Sequence, residues 1–181
     1  IYKNYKGLIS ITGPTRSGKS QLAELLVKNH DSVTYIATSK PRPNDQEWQK
    51  RIDLHRMRRP SSWSLIEHPE DICNVIESIR GKGSILIDSI GGLVEDHLND
   101  NDVEWKNYQK KLLKCFMENN LCIVVVSEEV GWGIVPASPI GHLFRERLCC
   151  LTSLISCHSS KNWLAVNGIA IDLEKIGGLI P

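Results

Sequence analysis

No charge of either sign dominates this chain of 181 residues, in which 22 basic side chains face 21 acidic ones for a net charge of +1. A general nucleic-acid or membrane-surface binder shows a basic excess, so the balance argues against both. The six cysteines (Cys73, Cys115, Cys122, Cys149, Cys150, Cys157) form no C-x-x-C pair and no zinc-like spacing with histidine. Most sit in apolar runs, where a free thiol behaves as a small hydrophobe; this reads as a reduced, cytoplasmic protein. No apolar run approaches membrane-spanning length, and a signal peptide ahead of the first strand is not expected. Internal repeats, linkers and low-complexity segments are also missing, so residues 1–181 are expected to form a single domain.

What is there begins with Gly13-Pro14-Thr15-Arg16-Ser17-Gly18-Lys19-Ser20, which fits G-x-x-x-x-G-K-[ST] at every fixed position. Leu8–Ile11 before it reads as a short buried strand, and Gln21–Val27 after it as a helix. The glycines let backbone N–H groups turn inward, and the helix directs its positive end at phosphates. Lys19 is expected on the β and γ phosphates and the Ser20 hydroxyl in a magnesium shell. The motif implies a nucleotide-binding protein.

Further strands are expected at Val33–Ala37, Trp63–Glu67, Ser84–Asp88, Leu121–Val126, Trp163–Val166 and Ile169–Ile171, the last two around a turn at Asn167-Gly168. Alternation of strands with helices predicts an α/β fold, a P-loop NTPase-like and mostly parallel sheet with ligands at its carboxyl edge. Thr38-Ser39 lies on that edge, either as hydroxyls that meet the nucleotide or as a plain polar turn. Asn44 with Glu47 resembles a capping box opening a helix that Pro60 stops. On that helix Arg51, His55 and Arg59 share one face, flanked by Arg58. Surrounding cations would keep His55 neutral, as a nucleophile must be; the plainer alternative is a solvated basic face with an incidental histidine. Pro69-Glu70-Asp71 reads as the first turn of a helix running to Arg80, with a turn at Gly81–Gly83. Asp88 ends an apolar strand as the second magnesium-side acid should. Asn99–Asp102 reads as a surface loop, Trp105–Asn119 and Ile140–Ile155 as helices, and Glu128-Glu129 with the glycine-containing loop after them as a second wall of the site.

Taken together, Thr15–Ser20, Tyr35-Ile36-Ala37-Thr38, Arg51-Ile52-x-x-His55-Arg56, Arg59-Pro60, Trp63, Glu67, Asp88, the block from Glu129 to Pro136, and Phe144-Arg145 resemble one family. It is the bifunctional adenosylcobinamide kinase/adenosylcobinamide-phosphate guanylyltransferase family of cobalamin biosynthesis. The resemblance implies phosphorylation of adenosylcobinamide with ATP or GTP, then GMP transfer from GTP through a guanylyl-histidine to the phosphorylated corrinoid. It places the GMP acceptor at His55, and nucleotide contacts at the phosphate loop, Ala37-Thr38-Ser39, Arg58-Arg59-Pro60, Glu67 and Asp88. It further implies Mg2+ held by Ser20 and Asp88 and a homotrimer. Two other readings stand beside it: a P-loop kinase or nucleotidyltransferase for another substrate, and a non-catalytic nucleotide-binding module. The chain departs from the family at Glu128, where asparagine is usual, and at Glu146, where aspartate is usual. Cys149-Cys150-Leu151-Thr152-Ser153 also replaces Gly-x-x-Asn-Gln, which bears on corrinoid recognition.

Overall fold

Alternation along one strand decides the architecture. All five residues of β5 (Cys122–Val126) are buried. Cys122, Val124 and Val126 enter one apolar cluster, while Ile123 and Val125 enter another on the opposite face. A strand covered on both faces belongs inside a parallel sheet, and β5 pairs in parallel with β1 (Gly7–Thr12) and β4 (Ser84–Asp88). The computed structural model describes residues 5–79, 83–178 and 180, and of Arg51 the backbone alone. Within them the sheet has seven strands in the order β3-β2-β4-β5-β1-β6-β7, with β2 Val33–Ala37, β3 Ser64–Glu67, β6 Lys161–Val166 and β7 Ile169–Asp172. Every pairing is parallel except β6 with β7, joined through Asn167 (φ 50°) and Gly168 (φ 78°).

Helices cover both faces. On one, α1 (Lys19–Val27) buries Leu22, Ala23, Leu26 and Val27 against Ile9, Ile11, Val124 and Trp163. On the other lie α3 (Ile72–Ser78), α4 (Ile90–Asp96), α5 (Asp102–Met117) and α6 (Pro139–His158). α2 (Gln46–Arg58) buries no described residue, and α7 (Leu173–Ile176) is a single turn. Hence α2 is held by polar contacts, which matters for the site.

Several helix boundaries differ from the sequence reading. Asp45, not Asn44, caps α2, its carboxylate accepting from Trp48 N at 2.9 Å. α3 starts after Asp71, which accepts from Cys73 N at 2.9 Å and Asn74 N at 3.3 Å, so Pro69 lies before the helix. The stretch expected as a loop at 99–102 contains the start of α5, because Asn101 and Glu104 complete a capping box. α3 ends at Ser78 because Ile79 is already extended, so the helix stops short of the expected Arg80; Arg80 itself and Gly81-Lys82 lie outside the described residues.

Candidate active site

The phosphate loop is wedged between the end of β5 and the β6–β7 hairpin. Glu129 N donates to Gly13 O at 3.1 Å, Gly168 N to Ser17 O at 3.0 Å, and Ser17 N to Pro14 O at 3.3 Å. Gly13 has φ 149°, and a Cβ there would lie 2.1 Å from Ala165 O, so only glycine fits. Gly18, at φ 100°, precedes α1 without a side-chain cap, so the helix's first N–H groups face the loop. Lys19 Nζ folds over the loop and donates to Pro14 O at 2.8 Å. Thr15 and Arg16 are exposed at the mouth, the latter at φ 59°. Three buried hydroxyls around the base, on Thr12, Ser17 and Ser127, have no hydrogen-bond partner among the described residues. An anion cradle built from backbone and hydroxyls leaves such donors.

His55 is brought to the carboxyl edge by the last turn of α2. Its Nδ1 lies 3.8 Å from Asp88 Oδ2, at the end of β4. The same oxygen accepts from Tyr35 Oη at 2.7 Å. Burial, and then the Asp88 carboxylate, push the Tyr35 phenol far above its ordinary range, so it remains a donor. Arg59 Cζ stands 4.0 Å from the Tyr35 ring centroid, and Arg59 Nε donates to the His55 carbonyl at 3.1 Å. The expected ring of guanidiniums is therefore only partly seen. Arg58 turns to Glu24 of α1 (3.3 Å) and Arg56 to Glu67 (3.1 Å), while a carboxylate stands next to the imidazole. Burial raises the Glu24 pKa, with the Arg58 guanidinium opposing it. The side chain of Arg51 lies outside the described residues. A pocket of about 230 Å³ opens beside this turn, lined by Tyr35, Arg56, Arg59, Pro60, Trp63 and Leu65 among others.

Not every expected contact points outward. Thr38 is 1 % exposed and its hydroxyl donates to Ser89 O, so it braces the β4–α4 junction rather than facing a nucleotide; Ala37 and Ser39 beside it are half-buried. Glu67 is exposed at the rim. Glu129 Oε1 accepts from Gly131 N at 2.6 Å within its own loop, which Arg145 also holds through Gly131 O at 2.5 Å. Glu128 turns inward: it accepts from the Ser89 hydroxyl and, at 3.1 Å, from Gly91 N. Burial raises its pKa, with Asp88 adding to the rise and the two donors opposing it.

The described residues hold no group of three or more His, Cys, Asp or Glu side chains placed to bind a metal. Magnesium binding through one or two protein oxygens plus substrate phosphates needs none. Ser20 at the start of α1 and the Asp88 carboxylate, whose Oδ1 takes part in neither contact above, are hard oxygen donors of the kind that could hold such an ion. The sequence reading missed Tyr35 and Glu24 as site residues. Tyr35 carried a signal, a long side chain with a polar tip on the same strand face as Ala37 at the carboxyl edge; Glu24 carried none beyond its place on α1.

The family model described as cobinamide kinase / cobinamide phosphate guanyltransferase matches residues 9–173. The bifunctional adenosylcobalamin biosynthesis protein CobU of Escherichia coli is 30% identical over 182 residues, covering 92% of this chain and 99% of that protein. CobP of Pseudomonas aeruginosa, described in the same words, is 31% identical over 167 residues, covering 91% and 95%. Among solved structures, an ATPase of the type III secretion system of pathogenic bacteria superposes with a TM-score of 0.54 at 12% identity. That match covers 96% of this chain and 59% of the ATPase, and it speaks to the fold alone.

Proposed function

Since the chain belongs to the cobinamide kinase / cobinamide phosphate guanyltransferase family, we propose that it runs both reactions at the carboxyl edge of one sheet, with His55 as the covalent GMP carrier. It phosphorylates the hydroxyl of adenosylcobinamide with ATP or GTP. It then takes GMP from GTP and delivers it to the phosphorylated corrinoid, giving adenosylcobinamide-GDP. The observation that carries this is the seating of His55 against Asp88 by α2 on a P-loop sheet. A plain kinase needs no such nucleophile.

In the guanylyl half, an imidazole nitrogen of His55 attacks the α-phosphorus of GTP. A P–N bond forms, the bond to the bridging oxygen breaks, and pyrophosphate leaves with the electron pair. A phosphate oxygen of the corrinoid then attacks the same phosphorus, and the P–N pair returns to the imidazole. Lys19 and the backbone N–H groups of residues 13–20 bind the phosphates. Ala37-Thr38-Ser39, Arg58, Arg59, Pro60 and Glu67 form the remaining nucleotide wall, Thr38 through its backbone. Ser20 and Asp88 would hold Mg2+, which supplies charge neutralisation at the phosphates when bound.

A homotrimer is part of the proposal. Trp132, Ile134 and Val135 in the loop after β5, and Ile140 at the start of α6, are 51–96 % exposed, an apolar surface suited to self-association. A cytoplasmic location is proposed too, supported by six free thiols.

The test is incubation with α-³²P-GTP and magnesium, followed by a denaturing gel. An acid-labile, base-stable band absent from His55→Ala supports the histidine carrier. No label, with γ-phosphate still passed to cobinamide, leaves a kinase alone. Bound nucleotide with neither transfer leaves a binding module.

A further inference from the structure

Tyr35 stands outside the phosphate loop and outside the proposed nucleotide wall, yet two lines of contact to the last turn of α2 meet on it. Its ring is 3 % exposed, on the face of the sheet that carries α1. Below the histidine, Tyr35 Oη donates at 2.7 Å to Asp88 Oδ2, the oxygen that lies 3.8 Å from His55 Nδ1. Beside it, the ring supports the Arg59 guanidinium at 4.0 Å, and Arg59 Nε ties back to the His55 carbonyl at 3.1 Å. The β2–β4 register makes this possible: Ala37 pairs with Asp88, so Tyr35 starts two residues short of the edge and needs its full length to reach the carboxylate.

We propose that Tyr35 is a positioning residue for guanylyl transfer: its hydroxyl fixes Asp88 Oδ2 as the acceptor for His55 Nδ1–H, so that Nε2 is the nitrogen that takes GMP. An imidazole has two nucleophilic nitrogens, and which one holds the proton is set by the partner of the other. A carboxylate with free rotation can approach either the imidazole or solvent. One oxygen pinned by a buried phenol presents the same lone pair at every turnover. The 3.8 Å separation is long for a hydrogen bond and closes by about 1 Å in the working complex, as catalytic contacts commonly do. The ring contributes separately by holding Arg59 beside the same turn. The kinase half does not use the imidazole and so does not depend on the tautomer.

This rests on the assignment of His55 as GMP carrier, and the experiment separates the two. Wild-type protein, His55→Ala and Tyr35→Phe are labelled with α-³²P-GTP, and γ-phosphate transfer to cobinamide is followed in parallel. The labelled nitrogen in wild type is identified by ³¹P and ¹⁵N NMR of the guanylylated protein. An unlabelled wild type, or label that survives in His55→Ala, sinks the carrier assignment itself. With that assignment intact, the expected results are label on Nε2 in wild type and guanylylation slowed by roughly 10-fold or more in Tyr35→Phe, the scale of a lost hydrogen bond to a charged group. Kinase turnover falls clearly less than guanylylation, because the kinase half shares Asp88 but not the imidazole, and phenylalanine keeps the ring, its packing and the Arg59 contact. Label on Nδ1 in wild type overturns the proposal whether or not Tyr35→Phe folds. So does a Tyr35→Phe variant that guanylylates at the wild-type rate, or one that loses both activities equally.

Discussion

Replacing Gly13 by alanine isolates what the phosphate loop demands of its first residue. The new Cβ would lie 2.1 Å from Ala165 O, an atom of β6 backbone that cannot rotate away, and 3.0 Å from Ser17 Oγ. The φ of 149° adds strain for any L side chain. A crowded buried position costs about 1–3 kcal/mol and an unfavourable backbone conformation about 1–3 more. For a domain of this size each kcal/mol moves the melting temperature by about 2–4 °C, so Gly13→Ala should melt roughly 4–24 °C below wild type. Two controls separate the terms. Gly168 has φ 78° but nothing within 4 Å of where a Cβ would stand, so Gly168→Ala carries backbone strain alone, about 1 kcal/mol or somewhat more. Gly133 has open space and no unusual φ, so its alanine variant should melt within about 1 °C of wild type. The assay is thermal unfolding by circular dichroism, paired with nucleotide binding by calorimetry. Equal melting of Gly13→Ala and Gly133→Ala, with nucleotide affinity retained, would refute the steric account of the loop.

Three further perturbations have definite outcomes. Glu128 has its pKa raised by burial, so its ionised form is disfavoured in the folded state. Its contribution to stability is full below the ordinary carboxylate range and is lost as pH rises through the folded value. Glu128→Gln should therefore be the more stable protein at neutral pH and converge on wild type near about pH 4 in denaturant titrations; an unchanged pH profile contradicts this. Arg147 is 4 % exposed and donates to the carbonyls of His97 and Asp100. Arg147→Ala strands both carbonyls and should cost about 3–5 kcal/mol in urea unfolding, with lysine restoring only part, because a single ammonium cannot span both. Lys19→Ala should weaken nucleotide binding at least about 10-fold in calorimetry while leaving the melting temperature nearly unchanged, since its Pro14 contact is only partly buried.

Where sequence and structure agree, the information was local. β2, β4 and the phosphate loop were legible because runs of apolar residues and a fixed spacing need no distant partner. Helix starts slipped where two caps compete: Asn44 and Asp45 are both eligible, and only the Trp48 N–H decides. α4 was hidden by Gly91-Gly92, which argue against a helix by about 1 kcal/mol each relative to alanine. The structure supplies the reason for them. A Cβ on Gly91 would lie 2.7 Å from Glu128 Oε1, and one on Gly92 2.4 Å from Thr38 Oγ1, so close packing of three strand ends overrides helix propensity. Of the arginines expected around His55, Arg59 stays beside it while Arg58 turns to Glu24, and the partners Glu24, Glu67 and Tyr35 come from three other elements that spacing alone cannot see.

The departures on α6 fall in a definite place. Cys149 Sγ would be 3.4 Å from a Cβ on Gly131, in the loop that Arg145 and Glu129 hold by its Gly131 backbone. Thr152, in the position of the family's asparagine, has a buried hydroxyl with no partner among the described residues. None of these side chains contacts His55, Asp88 or the phosphate loop in any hydrogen bond or ion pair described above. Substitution here thus alters what supports the apolar loop carrying Trp132, Ile134 and Val135, and leaves the surroundings of His55 untouched. Restoring the family pair with Thr152→Asn and Ser153→Gln should keep self-guanylylation from GTP within about 2-fold, the range for a distant, independent site. Its effect should be confined to GMP transfer onto the corrinoid phosphate or to the sedimentation behaviour of the assembly. A 10-fold loss of self-guanylylation in a folded variant would place this part of α6 in the nucleotide machinery and reverse the argument.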